Sequence, residues 1–292
     1  MPPSWFTAAL ADQPREVVVD VAGCPIHYCD WGDRGSPGLV LIHGGAAHAH
    51  WWDFLGPLFT YHWRVVALDL SGHGDSGRRT DYRAEAWASE VAAVARHAAF
   101  PAPPVIVGHS LGGLVAIQTA LDYCAQLAGV VLVEAAIRRP DPTVAEGDRG
   151  RLLRYPGTYA TLEEAVEHFR LVPEQPDIPS YILDHISHHS LRRTDEGWTW
   201  KFDPAAFTRP RIDMAQRLAA VRCRLALIYG ARSALLTADT AAYMSGLMGG
   251  RAPVIPIAEA HHHLVLDQPL AFVAALRALL TDWEHSAPGA RG

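Results

Sequence analysis

The sequence predicts an α/β protein with a mostly parallel sheet, helices on both faces and an antiparallel hairpin at its amino-terminal end. Short runs of aliphatic and β-branched residues alternate with helix-like stretches, which is typical of strands buried on both faces. The first two runs flank Ala22-Gly23, a turn signal that indicates the hairpin. The predicted strands are Val17–Val19, Ile26–Tyr28, Leu39–Ile42, Val65–Leu68, Val105–Val107, Val130–Val133, Leu225–Ile228 and Val254–Ile257.

One long interval, from Arg138 to about Met214, lacks such a strand run. It contains a capping box that begins at Thr161 and predicts a helix. Ligands of open α/β sheets bind outside the carboxyl ends of the strands, where this segment leaves the sheet. We therefore expect a mostly helical cap, inserted after the sixth strand, although a peripheral subdomain would fit the same pattern. The predicted domains are a core of residues 15–137 and 215–283, a cap of residues 138–214, and terminal extensions of residues 1–14 and 284–292.

Composition narrows the class of protein further. The chain has 25 basic and 31 acidic residues, a net charge of −6, and no basic stripe that would neutralise a nucleic acid. No apolar run approaches the roughly 20 residues that span a bilayer, and the first residues do not resemble a secretory signal. We expect a cytoplasmic protein without nucleic-acid or membrane partners. Its four scattered cysteines, Cys24, Cys29, Cys124 and Cys223, are expected to be reduced thiols.

The most informative motif is Gly108-His109-Ser110-Leu111-Gly112-Gly113, which stands between a predicted strand and a predicted helix. In that setting a G-x-S-x-G pattern indicates a sharp turn that exposes a nucleophilic serine at the end of the sheet. Ser110 is therefore the candidate nucleophile. A glycine-rich turn with an incidental serine is the alternative that the motif alone leaves open.

An activated serine needs a base, and the base needs an orienting acid. The candidate base lies in His261-His262-His263, after the last predicted strand. Three adjacent histidines would also suit a metal site. Neighbouring side chains of a loop rarely converge on one ion, however, and no fourth ligand is evident, so we expect no metal here.

Four stretches together resemble the α/β-hydrolase superfamily, in particular its cap-bearing esterase and epoxide-hydrolase-like branch. The stretches are His43-Gly44-Gly45, Asp69 to Ser76, Gly108 to Gly113 and Ala260 to Pro269. The resemblance implies the α/β-hydrolase fold for the core and says little about the cap. It also selects His262 as the base, because the family's catalytic histidine stands seven residues before a proline and five before an acid, here Pro269 and Asp267.

The chain departs from the family at the usual position of the acid, which Ser233 occupies. Two carboxylates are candidates for its role. Glu134 ends the strand after the nucleophile helix, where some branches place their acid, and a carboxylate at the end of a buried strand needs a partner. Asp239 is the alternative, although its surroundings predict the first turn of a helix. We favour Glu134, which as a merely structural residue would instead pair with Arg138.

A tetrahedral intermediate also needs preorganised amide donors for its oxyanion. One is the amide of Leu111, and the resemblance implies that the other is the amide of Gly45, with Ala46 as the alternative. His43 is expected to be structural. Trp198 and Trp200 are candidates for an apolar substrate pocket under the cap, or else they form the cap's own core.

These residues predict a serine hydrolase that cleaves a small, partly apolar carboxylic ester through an acyl-enzyme, without a cofactor. Lactonase, thioesterase, amidase, perhydrolase and carbon–carbon bond hydrolase activities would use the same residues. Haloalkane dehalogenases and epoxide hydrolases carry an aspartate in place of Ser110, which argues against both. The alternative from another class is a non-catalytic small-molecule receptor that kept the pocket, and Ser233 in the acid position is the feature that favours it.

Overall fold

An eight-stranded sheet organises the chain in the computed structural model, which describes residues 1–139, 157–207 and 213–286. Its strands are β1 (Arg15–Val21), β2 (Cys24–Trp31), β3 (Gly38–Ile42), β4 (Arg64–Leu68), β5 (Val105–His109), β6 (Gly129–Val133), β9 (Leu225–Gly230) and β10 (Val254–Ile257). The spatial order is β1-β2-β4-β3-β5-β6-β9-β10. β2 pairs antiparallel with β1 and β4, and the remaining pairs are parallel. The predicted sheet and its antiparallel start are confirmed.

The central strands are apolar along their whole length because both faces of the sheet are covered. Every residue of β3, β4, β5 and β6 is buried. Alternate side chains of one strand enter different cores: Leu39 and Leu41 belong to one cluster, Val40 and Ile42 to the other. The α-helices of the described residues are α1 (Ser4–Ala11), α2 (Ala84–Ala98), α3 (Leu111–Tyr123), α4 (Leu162–Glu167), α5 (Ser180–His189), α6 (Met214–Ala220), α7 (Ala238–Leu247), α8 (Leu264–Asp267) and α9 (Pro269–His285).

The helices divide between the two faces of the sheet. Side chains of α2, α3, α6 and α7 pack in the cluster that contains Val40, whereas those of α1, α5, α8 and α9 pack in the cluster that contains Leu39. The arrangement places the carboxyl ends of β3, β5, β6 and β9 side by side. Loops that follow these four strands can therefore bring their side chains to one place.

The segment between β6 and β9 contains more than helices. Its described part holds α4, α5 and an antiparallel hairpin formed by β7 (Leu191–Thr194) and β8 (Gly197–Trp200). Two backbone hydrogen bonds tie the end of this hairpin to the loop after β4, from the Gly74 amide to the Lys201 carbonyl at 2.7 Å and from the Asp203 amide to the Gly72 carbonyl at 2.7 Å. The division into core and cap remains a prediction, and its residues 140–156 and 208–212 lie outside the described part.

The described residues contain no helix long and apolar enough to cross a membrane. The four cysteines are free; Cys24, Cys29 and Cys223 are buried, and Cys124 is half-buried.

Candidate active site

The turn at Ser110 has the strained geometry that the G-x-S-x-G motif predicts. β5 ends at His109, α3 begins at Leu111, and Ser110 between them has φ 53° and ψ −113°. A Cβ added at Gly108 would overlap the backbone of Gly112, so only residues without side chains allow this close approach of strand and helix. The turn leaves the half-buried Ser110 side chain at the carboxyl end of the central strand.

This backbone conformation predicts a gain in stability when Ser110 is replaced by glycine. A non-glycine residue in a sparsely populated region costs about 1–3 kcal/mol, and glycine adopts this region without that cost. After allowance for the greater freedom of glycine in the unfolded chain, Ser110→Gly should unfold with a free energy about 1 kcal/mol larger than Ser110→Ala. Urea denaturation of the two variants measures the difference. Equal midpoints would show that the turn stores no strain.

Among the three consecutive histidines, His262 is the one that contacts Ser110. Its Nε2 lies 3.1 Å from Ser110 Oγ, and its Nδ1 lies 3.0 Å from Glu134 Oε2. The neighbouring rings are engaged elsewhere: His261 Nδ1 contacts Asp267 at 3.1 Å, and His263 Nε2 donates to the carbonyl of Pro173 at 2.9 Å.

His109, the last residue of β5, fixes the backbone of the histidine loop. Its Nε2 donates to the carbonyl oxygen of His262 at 2.9 Å. This contact joins the residue before Ser110 to the residue that faces Ser110. A structural role of His109 is expected from the sequence, but its partner, 153 positions away, is not.

Glu134 faces His262 from the end of β6. Its φ of 53° turns the buried carboxylate toward the neighbouring strand β9. There Oε1 accepts a hydrogen bond from the Gly230 amide at 2.7 Å, and Oε2 accepts one from the Ser233 hydroxyl at 2.8 Å. The structure thus brings Ser110, His262 and Glu134 into one hydrogen-bonded line.

The two alternatives for the acid have other surroundings. Asp239 is exposed in the first turn of α7, next to the Thr237 cap. Arg138, the structural partner considered for Glu134, donates instead to the carbonyls of Ala234 and Leu235.

Ser233 has a contact that the sequence did not predict. Besides donating to Glu134, its hydroxyl oxygen accepts the amides of Leu235 and Leu236 at 3.2 and 3.1 Å. Those two donors leave the hydroxyl proton directed at the carboxylate. A neutral residue in the usual acid position therefore orients a carboxylate that comes from the adjacent strand. The pairing depends on the adjacency of β6 and β9 in the sheet.

Burial controls the protonation of the pair. It raises the pKa of Glu134 to about 8, although the Gly230 amide and the Ser233 hydroxyl favour the carboxylate and limit the rise. Burial also lowers the pKa of His262 to about 4. His262 is then neutral near pH 7 and has a ring nitrogen able to accept a proton. The pair titrates as a unit because the two groups share a hydrogen bond.

These shifts predict a pH dependence with a definite sign. While Glu134 holds a proton it donates to His262 Nδ1, the ring proton stays on Nε2, and Nε2 cannot accept from Ser110. Turnover should therefore rise with pH as the pair loses this proton, with the midpoint of the rise near pH 8. Ser233→Ala removes a hydrogen bond that favours the carboxylate, so the rising limb should move to higher pH.

Rate–pH profiles of kcat/KM for the wild type, Ser233→Ala and Ser233→Thr test this prediction. The threonine variant keeps the hydroxyl and should restore the wild-type limb. A limb unchanged in Ser233→Ala would contradict a role of the hydroxyl in the titration.

The predicted oxyanion donors belong to two neighbouring segments, the start of α3 and the loop after β3. Leu111 is the first residue of α3, where an amide has no acceptor within its own helix. Gly45 lies in the loop after β3, and a Cβ placed on it would stand 3.1 Å from Phe207 Cε1 and 3.9 Å from Leu111 Cβ. Phe207, which no sequence pattern indicates as part of the site, therefore covers this loop from the inserted segment. Ala46, whose amide is the alternative donor, has a positive φ of 59°.

His43 is structural, as expected from the sequence. Its Nδ1 donates to the carbonyl of Gly44 at 2.7 Å, and its Nε2 accepts the amide of Leu70 at 3.1 Å. The buried ring thereby holds the loop after β3 against the loop after β4.

The two candidate pocket tryptophans make contacts inside the inserted segment. Trp200 stacks on Phe169 with ring centroids 5.0 Å apart, and Trp198 forms a β-bridge with Tyr159. Both tryptophans are half-buried. These contacts favour packing of the segment itself, and a pocket role for either ring remains a prediction.

A family model described as the alpha/beta hydrolase family matches residues 39–276. The chain belongs to this family. Esterase Rv0045c of Mycobacterium tuberculosis (strain ATCC 25618 / H37Rv) is 27% identical over 258 residues, which cover 86% of this chain and 84% of the relative. Protein phosphatase methylesterase 1 of Bos taurus is 33% identical over 143 residues, 47% of this chain and 37% of the bovine protein.

Two solved structures show the same fold. E-2-(acetamidomethylene)succinate hydrolase superposes with a TM-score of 0.79 at 21% identity, covering 92% of this chain and 99% of that one. The thioesterase domain from the curacin biosynthetic pathway gives a TM-score of 0.76 at 21% identity, covering 91% of this chain and 99% of that one.

Proposed function

We propose that this chain is a carboxylic ester hydrolase with Ser110 as nucleophile, His262 as base and Glu134 as orienting acid. The observation that carries the proposal is the position of His262, whose two ring nitrogens lie 3.1 Å from Ser110 Oγ and 3.0 Å from Glu134 Oε2. These distances are those of hydrogen bonds, and the order nucleophile, base, acid is what acyl transfer needs.

The geometry supports a reaction in two halves. His262 Nε2 accepts the Ser110 proton while Oγ bonds to the ester carbonyl carbon, and the Leu111 and Gly45 amides stabilise the resulting oxyanion. The imidazolium, stabilised by the Glu134 carboxylate, returns its proton to the departing alkoxide, which leaves as the alcohol. Water, deprotonated by His262, then attacks the acyl-enzyme, and Ser110 recovers its proton as the carboxylic acid leaves. No step needs a metal or an organic cofactor.

We propose a small, partly apolar ester as the substrate. The esterase and methylesterase names of the relatives support ester hydrolysis. Phe207 over the Gly45 loop supports an apolar surface beside the reacting carbonyl. The same triad would serve a lactone, a thioester or a carbon–carbon bond substrate, so the experiment must compare bond types.

Initial rates on 4-nitrophenyl esters with acyl chains of increasing length, and on a matched thioester and lactone, test the proposal. We expect hydrolysis of the esters, with kcat/KM that rises with acyl length and then falls when the pocket is filled. Turnover of the thioester or lactone alone would reassign the substrate class. Folded protein that binds these compounds without turnover would support the receptor alternative.

A further inference from the structure

A second group of histidines lies where α5 of the inserted segment meets the core. His185 and His189 stand four residues apart on α5, so their rings project from one face of the helix, with centroids 4.4 Å apart. Asp53, beside the 3₁₀ turn at Ala49–Trp52, faces them from the core, and its Oδ2 lies 3.0 Å from His185 Nε2. One ligand atom from each of Asp53, His185 and His189 lies within 4.8 Å of the other two.

The hydrogen bond made by His189 leaves its other ring nitrogen able to bind a cation. His189 Nδ1 donates to the carbonyl of His185 at 2.9 Å, so its ring proton is on Nδ1 and its Nε2 carries a lone pair. The cluster therefore offers the Nε2 lone pair of His189 close to the Asp53 carboxylate and the ring of His185.

The surroundings would hold these groups in place. His50 Nδ1 lies 3.2 and 3.0 Å from the two oxygens of Asp53, an arrangement that orients the carboxylate as outer partners do in metal sites. Phe6 and Phe54 pack edge-on to the ring of His185 at centroid distances of 6.1 and 6.2 Å. Hydrophobic neighbours of this kind limit access of water to bound ligands.

We propose that Asp53, His185 and His189 form a binding site for a divalent transition-metal cation such as Zn²⁺, which joins α5 to the core. Two histidines four apart on a helix with a carboxylate from a second element form a ligand set that Zn²⁺ accepts, and water completes a tetrahedron. The cation replaces the hydrogen bond between His185 Nε2 and Asp53, and the ring proton of His185 moves to Nδ1. The site shares no residue with Ser110, His262 and Glu134, so it does not rest on the proposed function.

A cation bound at this site would attach α5 to the core at a second place. Ile182 and Ile186 already bury the helix in the cluster that contains Leu39. Coordination adds bonds between the helix and the loop that carries Asp53, so opening of α5 from the core then requires release of the cation. A bound cation should therefore slow hydrogen exchange in α5 and raise the unfolding temperature of the chain.

The test is titration calorimetry of Zn²⁺ into the chelator-treated full chain, with thermal unfolding and amide hydrogen exchange recorded at zero and saturating Zn²⁺. We expect saturable binding, a higher unfolding temperature and slower exchange at residues 180–189. Removal of an outer partner alone lowers metal affinity by about 10–100-fold, so His189→Gln and Asp53→Asn should each weaken binding at least about tenfold.

His188→Gln is the matched control, because His188 neighbours His189 on the same helix but is exposed and donates to the carbonyl of Asp184. It should bind Zn²⁺ as the wild type does. If Asp53→Asn does not fold, His189→Gln still tests the proposal, because the His189 side chain is only half-buried. His109, His262 and His263 form another group with ligand atoms within 4.8 Å. Absence of binding, or binding that survives His189→Gln unchanged, would overturn the proposal, and its loss in His263→Gln would place the cation at that other group.

Discussion

Ser110→Ala is expected to lose about 10⁴- to 10⁶-fold in kcat on any ester that the wild type hydrolyses. The methyl group cannot bond to the substrate carbonyl, so the acyl-enzyme cannot form. KM should change little, because Ser110 adds no binding contact beyond its hydroxyl. Steady-state rates of the purified variant measure the loss, with active-site titration to exclude wild-type contamination.

The matched control is Ser245→Ala, which removes a hydroxyl from the half-buried surface of α7. Its kcat should stay within about twofold of the wild type, since surface changes away from special features have small effects. If Ser110→Ala retained more than a few per cent of wild-type kcat, another residue would be the nucleophile.

Glu134→Gln is expected to lower kcat by about 10³- to 10⁴-fold while the fold is retained. The Gly230 amide donates to the Oε1 position at 2.7 Å, so the oxygen of the glutamine amide should take that place. Its NH₂ group then faces His262 and donates to Nδ1. The ring proton moves to Nε2, and His262 can no longer accept a proton from Ser110.

The control for this variant is Asp239→Asn, which alters the exposed alternative acid in the first turn of α7. Its kcat should match the wild type. Circular dichroism and thermal unfolding show whether Glu134→Gln is folded. The opposite ranking, with Asp239→Asn inactive and Glu134→Gln active, would transfer the acid role to Asp239.

The sheet could be predicted because its strands contain continuous runs of apolar residues. A strand buried on both faces needs apolar residues along its whole length. Each predicted run lies within one observed strand. The hairpin of β7 and β8 was not predicted, because half-buried residues such as Trp198 and Trp200 do not alternate clearly with polar ones. The expectation of a mostly helical segment missed this hairpin for that reason.

The candidate site likewise contains residues that local sequence patterns predict and contacts that they do not. Ser110 and His262 could be selected from local motifs, and Glu134 from the cost of a carboxylate at the end of a buried strand. The contact from Ser233 to Glu134 depends on the side-by-side position of β6 and β9, which no local pattern encodes. Phe207 and Asp53 contact their partners where the inserted segment packs against the core. The sequence does not indicate how the segment is positioned there.

The most direct test of the central claim is mass spectrometry of the intact protein and its peptides after reaction with a fluorophosphonate, which phosphonylates activated serines. We expect one adduct, on Ser110, and a loss of ester hydrolysis in proportion to labelling. Ser110→Ala should form no adduct, and Glu134→Gln should form the adduct only at a low rate. An adduct on another serine, or full hydrolysis by protein labelled on Ser110, would contradict the assignment of the nucleophile.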